Sequence, residues 1–131
     1  MDQLTFYFDR NFGTRFPKAL SLVKPPVAIE WHQKQRFAQD MADDAWLEIV
    51  GQRGWVVFSH DRKFHSEAIE NAAVKQHLVR CFYLPCASGA TWSKLSIFVK
   101  VFDRVRGIAE SQSPPYVYNV QPNGRLRKIP L

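Results

Sequence analysis

Four short apolar runs punctuate the chain, spaced so that one helix fits between each and the next: LTFYF (residues 4–8), VAIEWH (27–32), WVVFS (55–59) and VRCFYL (79–84). Each is too short and too continuous for a helix and reads as a strand, WVVFS as one buried on both faces. The intervals carry helical periodicity instead. In NFGTRFPKALSLV, Phe16, Ala19, Leu20 and Val23 recur on one face, Pro17 suits the first turn, and Lys24-Pro25-Pro26 ends the helix. QKQRFAQDMA is a polar loop, and DDAWLEIVGQRG is the clearest helix. Its Asp43 and Asp44 complement the helix dipole, Trp46, Leu47, Ile49 and Val50 form the apolar stripe, and Gly54 suits the exit.

A third helix is expected from about Ser66 to His77. A long fourth runs from Thr91 to about Glu110, with Leu95, Phe98, Phe102, Val105 and Ala109 on its stripe. After SQSPP, the segments YVYNV and RLRKI flank QPNG, where Asn123-Gly124 signals a hairpin. The alternation predicts an α/β fold: a mainly parallel sheet of about four strands with helices packed around it, plus a C-terminal β-hairpin. It is read as one domain over residues 1–131, with an α/β core to about 110 and a hairpin tail over about 114–131.

Composition narrows the class. With 46% hydrophobic and 23% charged residues the chain is globular rather than disordered. No window approaches the ~18–20 apolar residues of a membrane span, and MDQLTFYFDR lacks the basic start of a secretory signal. Cys81 and Cys86, five apart and without a matching His pair, make neither a zinc site nor a disulfide framework. They read as free thiols in a reducing cytoplasm. The net charge of +6 favours polyanionic partners without specifying one.

Acidic residues follow the strands in a pattern. Asp9 ends the first strand, Asp61 lies two residues past the third, and both precede arginine: Asp9-Arg10 and Asp61-Arg62-Lys63. Ligands of an open parallel sheet bind outside the carboxyl ends of its strands. The helix opened by Asp43 and Asp44 starts over that same edge, so three chain segments are expected to deliver carboxylates to one rim. Crowded carboxylates repel unless a cation lies between them, and an all-oxygen donor set suits Mg2+ or Mn2+. Arg10, Arg62 and Lys63 would draw in a phosphate backbone. Turn formation at a strand end and capping at a helix start account for the same acids without any metal.

The blocks FYFDRNFG, QDMADDAWLEIVGQRGWVVFSHDRKF and PPYVYNVQPNGRLRKI resemble the PIN-like domain family, grouped with VapC-type toxin ribonucleases. The resemblance implies a compact three-layer α/β/α, Rossmann-like fold with an acidic metal pocket that cuts RNA. On its motif, Asp9 matches the first acid, Asp43 or Asp44 the helix-start acid, and Asp61 the acid after the central strand. Ser59 takes the hydroxyl position two before it. Together these are the implied catalytic residues, with the aspartates as Mg2+ or Mn2+ ligands and Arg10, Arg62 and Lys63 as RNA contacts. RNA and an antitoxin protein are the implied partners, a homodimer is left open, and no membrane association is implied. No residue after FYLPC fills the place of a fourth acid: Asp103, beside Arg104, reads as a solvated charge.

Other residues carry weaker signals. His60 and His65 flank Asp61 and read as loop histidines with a proton-transfer or phosphate role as the alternative. Among Trp31, Trp46, Trp55 and Trp92, each able to stack a base, Trp46 and Trp55 read as core. Arg125, Arg127 and Lys128 read as RNA or partner contacts, or as charges that blunt a sheet edge. A non-catalytic PIN-like module that binds RNA or protein through a depleted acid set is the competing function.

Overall fold

The computed structural model describes residues 3–60, 66–85 and 89–131. The apolar runs form strands β1 (Thr5–Phe8), β2 (Ala28–Trp31), β3 (Val56–Ser59) and β4 (Arg80–Tyr83). The periodic intervals form helices α1 (Arg15–Leu22), α2 (Asp43–Gln52), α3 (Ala68–Gln76) and α4 (Thr91–Ser111). The C-terminal hairpin supplies β5 (Tyr116–Val120) and β6 (Leu126–Ile129). All six strands join one sheet in the order β2-β1-β3-β4-β5-β6. The hairpin does not stand apart: β5 is the fifth parallel strand, in register from Arg80↔Tyr116 to Tyr83↔Asn119, and only β6 runs antiparallel.

Strand alternation divides the core into two layers. Phe6, Phe8, Phe58, Phe82 and Tyr118 face α1 and α4, whereas Tyr7, Val57, Cys81, Tyr83 and Val117 face α2 and α3. Phenylalanine rings tile the first layer across strands, with Phe8 stacked on Phe58 at 5.0 Å and Phe58 on Phe82 at 5.6 Å. Parallel sheets need cover on both faces, and α1, with eight residues, is too short to roof six strands. The 21 residues of α4, ~30 Å of helix, supply the rest. The β4–α4–β5 connection steps in the same direction across the sheet as β3–α3–β4 but over the opposite face, so its hand is opposite to that of its neighbour.

Departures from the expected stripes are local. Val23 is exposed because α1 closes at Leu22 and Lys24 takes φ 54°, turning the chain away. In α4, Ile97 and Val101 occupy the centre of the buried face, and Leu95 and Phe102 pack at its margin. At Gly51 a Cβ would meet the His77 carbonyl oxygen at 2.5 Å, so the approach of α3 to α2 requires glycine. Cys81 is buried and free, its thiol pushed up by burial, and Cys86 lies outside the described residues. No helix among the described residues is long and apolar enough to cross a membrane.

Candidate active site at the carboxyl rim

The chain leaves β1 toward β2 on one side and returns to β3 on the other, so the carboxyl ends of β1 and β3 flank the crevice where open α/β sheets bind ligands. Asp9 follows β1 directly. It is 2% exposed, its N–H donates to the Phe58 carbonyl at 3.1 Å, and its Oδ1 accepts from the Asn11 N–H at 3.1 Å. The second bond caps the 3-10 turn Arg10–Phe12, which holds the carboxylate at the strand end. Ser59, fully buried, ends β3 beside it, its carbonyl accepting from the Leu84 N–H at 2.9 Å.

The two acids at the start of α2 differ in their surroundings. Asp43 turns inward: its Oδ1 accepts from Arg10 Nη2 at 2.8 Å and from Trp46 Nε1 at 3.0 Å, with its side chain 8% exposed. Asp44 is exposed. The Arg10–Asp43 pair therefore brings the first turn of α2 against the end of β1, and two of the predicted segments meet on one rim. Asp61, Arg62 and Lys63, like His65, lie outside the described residues.

Arg10 takes a different place from the one its sequence position suggests. Besides Asp43, its guanidinium donates to the Met41 carbonyl at 2.6 Å and to the Gln39 carbonyl. Its donors are thus directed at the loop before α2 rather than toward solvent, and the planar fork satisfies three acceptors at once.

A buried polar pair backs the rim. The His32 ring, fully buried, meets the Ala38 carbonyl through Nε2 at 2.9 Å and the Tyr7 hydroxyl through Nδ1 at 3.1 Å. A carbonyl only accepts, so Nε2 carries the proton and Nδ1 accepts from Tyr7. Burial pushes the His32 pKa below its ordinary value, offset in part by the Ala38 hydrogen bond. Burial also pushes the Tyr7 phenol far up, with the Asp9 charge adding to it. His60, read from sequence as an exposed loop histidine, is more enclosed than that. It is half-buried, its ring stacks on Phe12 at 4.0 Å, and its Nδ1 donates to the Leu84 carbonyl at 2.8 Å. Its buried Nε2 has no hydrogen-bond partner among the described residues, and burial lowers its pKa. The available signal was position: His60 immediately follows a fully buried strand at the crevice.

Two histidines with lowered pKa values set a pH dependence. In the unfolded chain they protonate near ~6.5, while the folded chain resists protonation, so their contribution is intact above that pH and is lost as pH falls below it. The melting temperature is expected to decline between about pH 6.5 and 5. A flat thermal profile over that window contradicts the buried neutral assignment.

The donors present suit a hard divalent cation. Such ions use one or two carboxylates and keep several waters. Among the described residues, no group of three or more His, Cys, Asp or Glu is placed to hold a metal ion.

Comparison with known proteins agrees with the architecture. No curated protein and no solved structure matches the chain significantly. The family described as PIN like domain matches residues 4–86, which span β1 to the end of β4 and include Asp9, Asp43, Asp44 and Asp61. That family is generally one of nucleases, and the α/β/α architecture with its mostly parallel sheet fits it. The chain therefore belongs to the PIN-like domain family and has a nuclease-type fold.

Proposed function

We propose that the protein is a Mg2+- or Mn2+-dependent endoribonuclease that hydrolyses RNA phosphodiester bonds, and that it is the toxin component of a toxin–antitoxin pair. The observation that supports it is the Arg10–Asp43 ion pair, which ties the first turn of α2 to the residue following Asp9 at the switch-point crevice of a nuclease-type fold. Asp9, Asp43 and Asp61 would hold the ion, with Asp44 as the exposed neighbour and Ser59 as the buried hydroxyl beside them. When bound, a divalent cation polarises a phosphoryl oxygen and offsets charge on the leaving oxygen.

The chain's own residues do the positioning. Arg10 fixes Asp43 and the preceding loop, the cap at Asn11 fixes Asp9, and β3 delivers Ser59 to the same edge. Phosphate attraction falls to Arg62 and Lys63, because Arg10 is engaged with protein acceptors. RNA is the substrate in this reading, a cytoplasmic antitoxin protein the partner, and self-association as a homodimer is compatible with it.

One observation favours the non-catalytic module instead: Asp43 Oδ1 already accepts from both Arg10 and Trp46, which compensates the charge a cation would need. Calorimetric titration with Mn2+ separates the two. The nuclease reading expects saturable uptake that Asp9→Asn removes, together with growth arrest on induced expression that Asp9→Asn relieves. Neither metal uptake nor arrest is expected of a binding module.

A further inference from the structure

Beyond the segment matched to the family, α4 and the β5–β6 hairpin line two concavities, one containing Trp92, Ser96 and Lys100 and the other Arg104 and Arg125. Trp92, Ser96, Lys100 and Arg104 follow one another at intervals of four along α4, a ridge of about 18 Å. Pro122 lines the first concavity and Arg125 the second. Gly124, with φ 88°, seats the turn on the ridge: a Cβ there would lie 3.1 Å from both Arg104 Nη2 and Lys100 Cε. The turn and the helix therefore gather Lys100, Arg104 and Arg125, all exposed.

Two features call for a ligand. Trp92 is 80% exposed, an unusual setting for the largest apolar side chain. The cations are not spent on neighbouring acids: Arg106 pairs with Glu110 at 2.9 Å, whereas no ion pair involves Lys100, Arg104 or Arg125 among the described residues. Asp103, the exposed acid of this stretch, sits ~100° round the helix from Arg104.

We propose that this face of α4, with the adjoining hairpin turn, is the track on which a single-stranded RNA lies, with Trp92 stacking a base and Lys100, Arg104 and Arg125 holding phosphates. An exposed aromatic face beside spaced cations suits single strands, whose bases are free to stack. Duplexes bury those faces. The inference rests on the RNA reading above but not on catalysis.

The test measures fluorescence anisotropy of a short labelled single-stranded RNA, in EDTA and on the Asp9→Asn background, so that no cleavage intervenes. Trp92→Ala is expected to weaken binding roughly tenfold, Trp92→Phe to retain most of it, and the same sequence as a duplex to bind more weakly. Replacing Lys100, Arg104 and Arg125 together with alanine is expected to reduce the slope of log affinity against log salt by about 2. Unchanged affinity in both the Trp92→Ala and triple variants overturns the track, and equal binding of the duplex overturns the stacking role. Wild-type protein that binds RNA in this pattern but never cleaves it in Mn2+ removes the catalytic reading and leaves the track standing.

Discussion

Asp9→Asn is expected to lower Mg2+- or Mn2+-dependent RNA cleavage by at least ~100-fold while leaving the fold intact, since losing one preorganised charge-stabilising group typically costs that much. Asparagine keeps an oxygen that can accept from the Asn11 N–H, so the turn after β1 stays capped at a cost below about 1 kcal/mol. It removes only the negative charge. The comparison is therefore specific: cleavage measured with a labelled RNA falls, and circular dichroism and melting stay near wild type. Cleavage retained at wild-type level in the folded variant would falsify the assignment of this rim as the active site. The structural alternative for Asp9, a turn former alone, makes the opposite prediction, because asparagine serves that purpose equally well.

Arg10→Ala is expected to destabilise the protein by about 2–3 kcal/mol, seen as a fall of about 6–12 °C in melting temperature. Two carbonyls and the mostly buried Asp43 carboxylate lose their donor together. The exposure of Arg10, 20% of its side chain, keeps the loss below that of a fully buried pair. Arg10→Lys is expected to recover only part of it, since an ammonium cannot span acceptors that the guanidinium fork reaches in one plane. An unchanged melt in Arg10→Ala would show that the loop before α2 is held by His32 and Phe37 without help. Under the nuclease reading, activity falls with stability, because Asp43 loses its orientation.

Much of the fold was legible because it rests on local signals. The apolar runs, Pro17 in the first turn of α1 and Gly54 at φ 71° after α2 all lie where periodicity and backbone preference put them. The pairing of β5 with β4 was not, since a hairpin signal says how two strands meet each other and nothing about which sheet receives them. The site divides in the same way. Strand ends located Asp9 and Ser59, but capping preference treats Asp43 and Asp44 alike, and only the contacts with Arg10 and Trp46 separate them. The bonds from His32 to Tyr7 and from Arg10 to Asp43 join residues 25 and 33 positions apart, so no sequence window contains them.

The family match stops at residue 86, yet the phenylalanine layer is completed by a helix and two strands that come later. A chain inheriting only the shared stretch would expose the outer side of β4 to strand addition by its neighbours and leave Phe58 and Phe82 to water. The last third is thus not a detachable accessory that evolution could exchange at will. Grafting it from a distant relative would demand that the incoming helix match those rings one by one.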